Sequence, residues 1–156
     1  MNIPRRSFLK STLALGGAFT LGTGVLPQNA LADWPTVAFE ADSVEQALIA
    51  LFEQSEIEES DNIKIQTPEI AENGAVVPVE VSAEFPKIES ITLFAEKNPV
   101  PLVGQFNFPD PETAVGWIKT RIKMSETAQV IAVVSAGGKL YSARREVKVT
   151  IGGCGG

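Results

Sequence analysis

The only cysteine of the 156-residue chain, Cys154, stands between two pairs of glycines in the segment Gly152-Gly153-Cys154-Gly155-Gly156. Glycine has no Cβ, so these neighbours cannot pack around the thiol, and we expect a thiol on a thin, mobile tether. The last predicted strand ends near Ile151, which lets the stretched chain carry Cys154 about 10 Å beyond the sheet. This arrangement suits a thiol that enters the pocket of another protein.

The rest of the sequence offers this thiol no means of activation. No basic residue adjoins Cys154, so we expect an ordinary thiol, mostly protonated at neutral pH. The chain has no histidine, which excludes Ser-His-Asp triads, Cys-His dyads and most zinc sites. We therefore predict neither a metal site, nor a cofactor, nor catalysis by this chain. A single cysteine also excludes an internal disulfide, so the thiol is free, modified or joined to another molecule.

The first residues have the pattern of a twin-arginine export signal, carried by Arg5, Arg6, Phe8 and Leu9. The weakly apolar stretch that follows, 11–26, is shorter than the roughly 20 residues that a membrane span requires. It leads to Ala30-Leu31-Ala32, the small-x-small pattern that signal peptidase reads. We therefore expect cleavage after Ala32 and a periplasmic protein that is exported already folded and does not stay in the membrane.

Cleavage would leave an acidic chain, because residues 1–32 contain three bases and no acids. The remainder has 10 basic and 19 acidic side chains, a net charge of −9. This acidity argues against nucleic acids and anionic membranes as partners. The length suits one domain. We predict three segments: a signal peptide, 1–32; a carrier domain, 33–151; and an arm, 152–156.

One amphipathic helix is predicted over 42–54. Its apolar residues recur at helical spacing, and Asp42 is the predicted cap, with Glu45 completing a capping box. A stripe of this width usually packs on the domain's own core, and we expect the helix to cover one edge or end of the domain. The residues of the stripe are Val44, Ala47, Leu48, Leu51 and Phe52.

Beyond this helix the sequence is typical of strands separated by proline, glycine and asparagine. Paired glycines after Ala136 predict a tight hairpin turn. About seven short strands predict a mainly β fold, an immunoglobulin-like antiparallel β-sandwich with one N-terminal helix and a flexible Gly-Gly-Cys-Gly-Gly arm. Arg144 and Arg145 are interpreted as surface charges. The predicted strands lie around 63–65, 77–81, 91–95, 102–108, 118–122, 130–134 and 147–151.

Six aromatic residues are expected either in the core or at an interface with a partner, and the sequence does not distinguish these two locations. They are Phe85, Phe94, Phe106, Phe108, Trp117 and Tyr141.

Three functions are compatible with a cysteine in such a tail. The first is a covalent carrier of sulfur-containing cargo. The second is a ubiquitin-like sulfur carrier, which also ends in Gly-Gly, but its activation requires ATP and contradicts an export signal. The third is an exported structural or interaction protein whose Cys154 forms an intermolecular disulfide. A purposeless free thiol is a hazard in an oxidising compartment, so the residues favour the carrier.

The chain resembles the SoxY family, the sulfur-carrier subunits of the Sox thiosulfate-oxidation system. The resemblance covers essentially the whole chain and is carried by the segment 121–133 and above all by the terminal sequence Val147-Lys-Val-Thr-Ile-Gly-Gly-Cys-Gly-Gly. It implies a heterodimer with a SoxZ-like subunit, and it implies that Cys154 is the site of covalent sulfur attachment on an arm formed by Gly152, Gly153, Gly155 and Gly156.

The same resemblance implies which enzymes use the carrier. A c-type cytochrome would conjugate thiosulfate to Cys154, a hydrolase would release sulfate, and, in systems that have one, a sulfane dehydrogenase would oxidise the remaining persulfide. The catalytic metals and haems would belong to these partners.

Overall fold

The computed structural model describes residues 35–151, which belong to one compact unit. These residues form a helical N-terminal part followed by strands. The helices are α1 (Thr36–Phe39) and α2 (Val44–Phe52). The strands are β1 (Glu58–Glu59), β2 (Ile63–Gln66), β3 (Ile70–Ala71), β4 (Val77–Ala83), β5 (Ile88–Ala95), β6 (Leu102–Asn107), β7 (Trp117–Ile122), β8 (Ala128–Ala136) and β9 (Lys139–Val149).

The strands form two sheets. In the larger sheet the order is β1-β9-β8-β5-β6, with β3 also paired to β9; in the smaller sheet it is β2-β4-β7. The pairs are antiparallel except those of β1 and β3, which each run parallel to β9. The predicted immunoglobulin-like sandwich is confirmed. The sequence did not predict the two-residue strands β1 and β3, because their residues show no alternation.

The main core lies between the two sheets. Alternate residues of the central strands point into it because side chains alternate across a strand with period two. On β4 these are Val77, Val79 and Val81, all at most 1% exposed. They face apolar residues of the larger sheet that are fully buried in the same cluster: Ile91, Leu93, Val130, Ala132, Val134 and Val147.

The helices close a second cluster on the opposite face of the larger sheet. Ala47 and Leu48 of α2 pack there with Phe94, Ile131 and Val133. The prediction that this helix covers an edge or end of the domain was therefore wrong, since it covers a sheet face. The physical reason is that β5 and β8 are apolar on both faces, and the outer face also has to be removed from water.

Helix α2 begins two residues later than predicted. Its N-cap is Ser43, whose Oγ accepts a hydrogen bond from the backbone N–H of Gln46 at 3.2 Å. Asp42 is not the cap; its backbone N–H donates to the Gln46 side chain at 3.3 Å. The helix ends at Phe52 because Glu53 adopts a left-handed conformation with φ 57°. The single predicted helix is also incomplete, since α1 precedes it.

The aromatic residues divide between the core and the surface. Phe94 is fully buried, and Phe85 stacks on Tyr141 with ring centroids 4.4 Å apart. Phe106 and Phe108 are partly buried against the main core. Trp117 is half-exposed on the outer face of the smaller sheet, where its Nε1–H donates to Glu80. Within residues 35–151, neither helix is long and apolar enough to cross a membrane.

Candidate functional site at the end of the last strand

Strand β9 is the element that leads to Cys154. It begins at the Gly137-Gly138 turn, where φ values of 58° and 76° confirm the predicted hairpin and suit residues without a Cβ. From Ala136↔Lys139 to Ala128↔Val147 it pairs with β8 without a break in register. The strand that precedes the cysteine is therefore held along its length by a buried neighbour.

The C-terminal end of β9 pairs with β3 on the side opposite β8. Ile70 pairs with Lys148 and Ala71 with Val149 in a short parallel ladder. The backbone N–H of Lys148 donates to the Glu69 carbonyl at 3.0 Å. Two residues further, the N–H of Thr150 donates to the Ala71 carbonyl at 3.1 Å. The pairing thus continues past the formal end of the strand.

Three further hydrogen bonds, which we call the root clamp, fix residues 149–151. Thr127 Oγ1 accepts from the Val149 N–H at 2.9 Å. Thr150 Oγ1 donates to the Glu72 carbonyl at 2.9 Å, and the Gly74 N–H donates to the Ile151 carbonyl at 2.7 Å. The clamp holds the backbone as far as Ile151, the last residue that the structure describes. Cys154 follows three residues later.

The loops at this end of the sandwich are tied to the clamp and to each other. The Met124 N–H donates to the Gly74 carbonyl at 2.7 Å. Asn98 then joins the β5–β6 and β7–β8 loops: its side-chain amide donates to the Lys123 carbonyl at 2.8 Å, and its Oδ1 accepts from the Ser125 N–H at 2.9 Å. The surface around Ile151 is therefore a connected platform rather than a set of independent loops.

Two charged side chains of β9 each lie within ion-pair distance of a glutamate. Lys148 lies 4.0 Å from Glu69, and both side chains are largely exposed. Arg144 pairs with Glu59 at 3.3 Å. It precedes Ile151 by seven residues, about 23 Å along an extended strand. Its position fits its interpretation as a surface charge.

Elsewhere, one carboxyl group has a perturbed pKa. The indole N–H of Trp117 donates to Glu80 at 3.0 Å, and the ammonium group of Lys119 lies 3.1 Å from the other carboxylate oxygen. These contacts, the Trp117 hydrogen bond first, hold the pKa of Glu80 below its ordinary value. Glu80 lies on the outer face of the smaller sheet, away from Ile151. Its bond to Trp117 is an exposed surface hydrogen bond.

The predicted site residues are outside the part of the chain that the structure describes, so their roles stay predictions. They are Cys154 with Gly152, Gly153, Gly155 and Gly156, and the export residues Arg5, Arg6, Phe8 and Leu9. Between residues 35 and 151, no group of three or more His, Cys, Asp or Glu side chains could hold a metal ion. A surface cleft between Gln54, Glu58 and Lys139 is lined mainly by polar and charged residues.

Sequence reasoning missed the residues of the root clamp. Asn73-Gly74 is a dipeptide typical of turns, and it does form one, with the Asn73 side chain accepting from the Ala75 N–H at 2.8 Å. That signal could have been used. Thr127 and Thr150 carry no comparable signal, because their partners are distant in the chain.

A protein-family model matches most of the chain. The model of the family described as "Sulfur oxidation protein SoxY" matches residues 48–154. This range begins within α2, includes β1 to β9 and reaches Cys154. No curated protein sequence matches the chain.

Among solved structures, the chain is similar to the sulfur carrier protein SoxY from Chlorobium limicola f thiosulfatophilum. The two share 43% sequence identity at a TM-score of 0.63, over 70% of this chain and 97% of that one. A superoxide reductase (neelaredoxin) from Ignicoccus hospitalis is also similar, with 23% identity and a TM-score of 0.52, over 60% of this chain and 94% of that one. The second likeness extends to the fold alone.

Proposed function

Because this chain belongs to the SoxY family, we propose that it is a sulfur carrier of thiosulfate oxidation that holds sulfur intermediates covalently on Cys154 and presents them to partner enzymes. The observation that carries the proposal is the family match, which extends through the tail to Cys154 itself. The similar Chlorobium protein is a sulfur carrier.

The chemistry that we propose needs only a thiol on this chain. Oxidative conjugation of thiosulfate joins the Cys154 sulfur to the outer sulfur of thiosulfate: the thiol loses its proton, two electrons leave, and a cysteine S-thiosulfonate remains. A c-type cytochrome would accept the electrons. The new S–S bond is stable enough to carry cargo and can still be cleaved by exchange or hydrolysis.

Hydrolysis then releases the oxidised sulfur atom. Water adds to the terminal sulfonate sulfur, sulfate and a proton leave, and a persulfide stays on Cys154. A sulfate-releasing hydrolase would perform this step, and a sulfane dehydrogenase, where the system has one, would oxidise the persulfide. The carrier's own contribution is to hold the intermediate and to bring it to each active site.

One feature of the structure and one of the sequence are consistent with this division of labour. The root clamp holds the backbone up to Ile151, so the chain beyond it starts from a defined point. The sequence places no histidine and no basic residue beside Cys154. Activation of the thiol is accordingly assigned to the partner sites that Cys154 enters.

We also propose the cellular context. The twin-arginine pattern at Arg5 and Arg6 would direct the folded protein to the periplasm, with cleavage after Ala32, and a SoxZ-like subunit would be exported with it as a heterodimer. Replacement of both arginines with lysine should leave the uncleaved protein in the cytoplasm. Cleaved protein in the periplasm of the double variant would refute this assignment.

Intact mass spectrometry without reductant tests the carrier function. The protein is isolated from the periplasm of cells grown on thiosulfate and compared with a Cys154→Ser variant. We expect additions of sulfur or thiosulfonate that disappear on reduction and are missing from the variant. An unmodified thiol during active thiosulfate turnover, or a disulfide-linked dimer alone, would favour the structural function instead.

A further inference from the structure

The distance from Ile151 to Cys154 limits where an enzyme can bind. Three residues span at most about 10 Å when fully extended. If Cys154 carries cargo into an active site, as the proposed function requires, the entrance to that site must come within this distance of Ile151. Even a small specific interface covers about 600 Å² on each partner, a disc with a radius of roughly 14 Å. The partner must therefore cover the end of the sandwich around Ile151.

Exposed apolar side chains collect at this end. Ile151 is 68% exposed, Ile70 56% and Val76 55%. The three lie on hydrogen-bonded segments. The Ile151 carbonyl accepts from Gly74, two residues before Val76. Ile70 lies on β3, which pairs with Lys148 and Val149 of β9. Val100, on the β5–β6 loop at the same end, is 42% exposed. Nothing within residues 35–151 covers these side chains.

The other exposed large apolar residues of the described chain are dispersed. Val37 and Ile49 lie on the helices, and Val115 and Trp117 lie at the opposite end of the sandwich, where β7 begins. Single exposed apolar residues are ordinary, whereas a group on one connected platform indicates an interaction surface. The group surrounds the point from which Cys154 is reached.

From these observations we propose that Ile70, Val76 and Ile151, which we call the root patch, form the docking surface shared by the enzymes that act on Cys154. The inference rests on the proposed carrier function. Its occupant is an enzyme with an apolar rim around a narrow channel no deeper than about 10 Å. A shared surface is expected because one short tether serves every enzyme, so each must approach the same end of the domain.

Because the root patch is apolar, we expect apolar contact to dominate its binding to an enzyme. The nearest ion pair, Lys148 with Glu69, is exposed and mutually compensated, so it contributes little net charge to a partner. Apolar contact is weakly sensitive to salt, unlike binding between exposed opposite charges. We therefore expect docking at the root patch to vary little with ionic strength.

Matched substitutions of exposed valines test the proposal. Val76→Ser alters the root patch, and Val115→Ser makes the same change at the opposite end, where the side chain is 77% exposed; Ile70→Ser is a second patch variant. Each protein is supplied to a periplasmic extract of thiosulfate-grown cells that lack this chain, with thiosulfate and oxidised cytochrome c. Conjugation of Cys154 is followed by intact mass against carrier concentration.

We expect the patch variants to raise the KM for conjugation and for sulfate release at least about fivefold, the effect typical of a contact that matters in an interface. The kcat, the melting temperature and the reaction of Cys154 with a small aromatic disulfide reagent should stay as in the parent protein. Val115→Ser should match the parent throughout. A KM unchanged in both patch variants would overturn the inference.

A free Gly-Gly-Cys-Gly-Gly peptide provides an independent test. If the root patch supplies binding, the peptide should be a substrate with a kcat/KM at least about tenfold below that of the whole protein. Equal values would show that the tail alone is recognised and would also overturn the inference, while leaving the carrier function intact. No conjugation of the parent protein at Cys154 would instead refute the carrier function, and the docking surface with it.

Discussion

Replacing Gly116 with alanine should destabilise the sandwich, because the position has no room for a methyl group. The Gly116 carbonyl accepts the N–H of Ala83 at 2.7 Å, which joins the start of β7 to the end of β4. A Cβ at Gly116 would lie well under 3.0 Å from both the Ala83 oxygen and Ile88 Cδ1, and 3.2 Å from the Ala83 carbonyl carbon. Ile88 is 1% exposed and has little space in which to move.

The expected loss is about 2 kcal/mol in the free energy of unfolding. Overpacking in a well-packed region costs typically about 1–3 kcal/mol, and the backbone contact puts this site near the upper end. Reduced freedom of the unfolded chain returns about 0.4–1 kcal/mol. For a domain of this size, a loss of about 2 kcal/mol lowers the melting temperature by roughly 8 °C.

Gly104→Ala is the matched control, since a Cβ there would meet no atom within 4 Å. We expect its stability to lie within about 0.5 kcal/mol of the parent. Urea unfolding followed by circular dichroism measures both variants. Equal stabilities for the Gly116 and Gly104 variants would refute the reasoning. Because Gly116 lies at the end opposite the root patch, the folded variant should still accept sulfur at Cys154 at the normal rate.

Three further predictions concern other parts of the fold. Ser43→Ala removes the cap of α2 and should cost about 1 kcal/mol in urea unfolding; an unchanged midpoint would contradict the assigned cap. Thr127→Val removes the acceptor of the Val149 N–H, so hydrogen exchange at that amide should accelerate and stability should fall by about 1 kcal/mol, whereas unaltered exchange would exclude the clamp. The lowered pKa of Glu80 means that its bond to Trp117 stabilises the fold above the ordinary glutamate pKa of about 4.3 and is lost as the pH falls through the lower folded value. The stability difference between the parent and Trp117→Phe should therefore shrink on acidification, and a constant difference in thermal unfolding would be the contrary result.

Most of the longer strands were predictable because their residues alternate or form apolar runs, whereas β1, β3 and the first part of β9 were not predicted. Val77, Val79 and Val81 point into the core as their spacing indicates. The start of α2 was misplaced because Asp42 and Ser43 are both good caps, and local sequence does not show which of them takes the extended conformation. The helix position was wrong for a different reason: the outer face of the larger sheet becomes a surface to cover only when β5 and β8 lie side by side.

The position of the thiol and its greatest distance from the domain follow from the covalent sequence alone. A single thiol among glycines, three residues beyond Ile151, and the absence of histidine are covalent facts that no packing can alter. Which residues surround Ile151, by contrast, depends on the tertiary structure. The hydrogen bond between Ile151 and Gly74 joins segments that are distant in the chain. The exposed side chains of Ile70, Val76 and Ile151 likewise come from distant segments and lie at one end of the sandwich. They meet only because the pairing of β3 with β9 and the stacking of the two sheets bring them together, and neither follows from a local pattern.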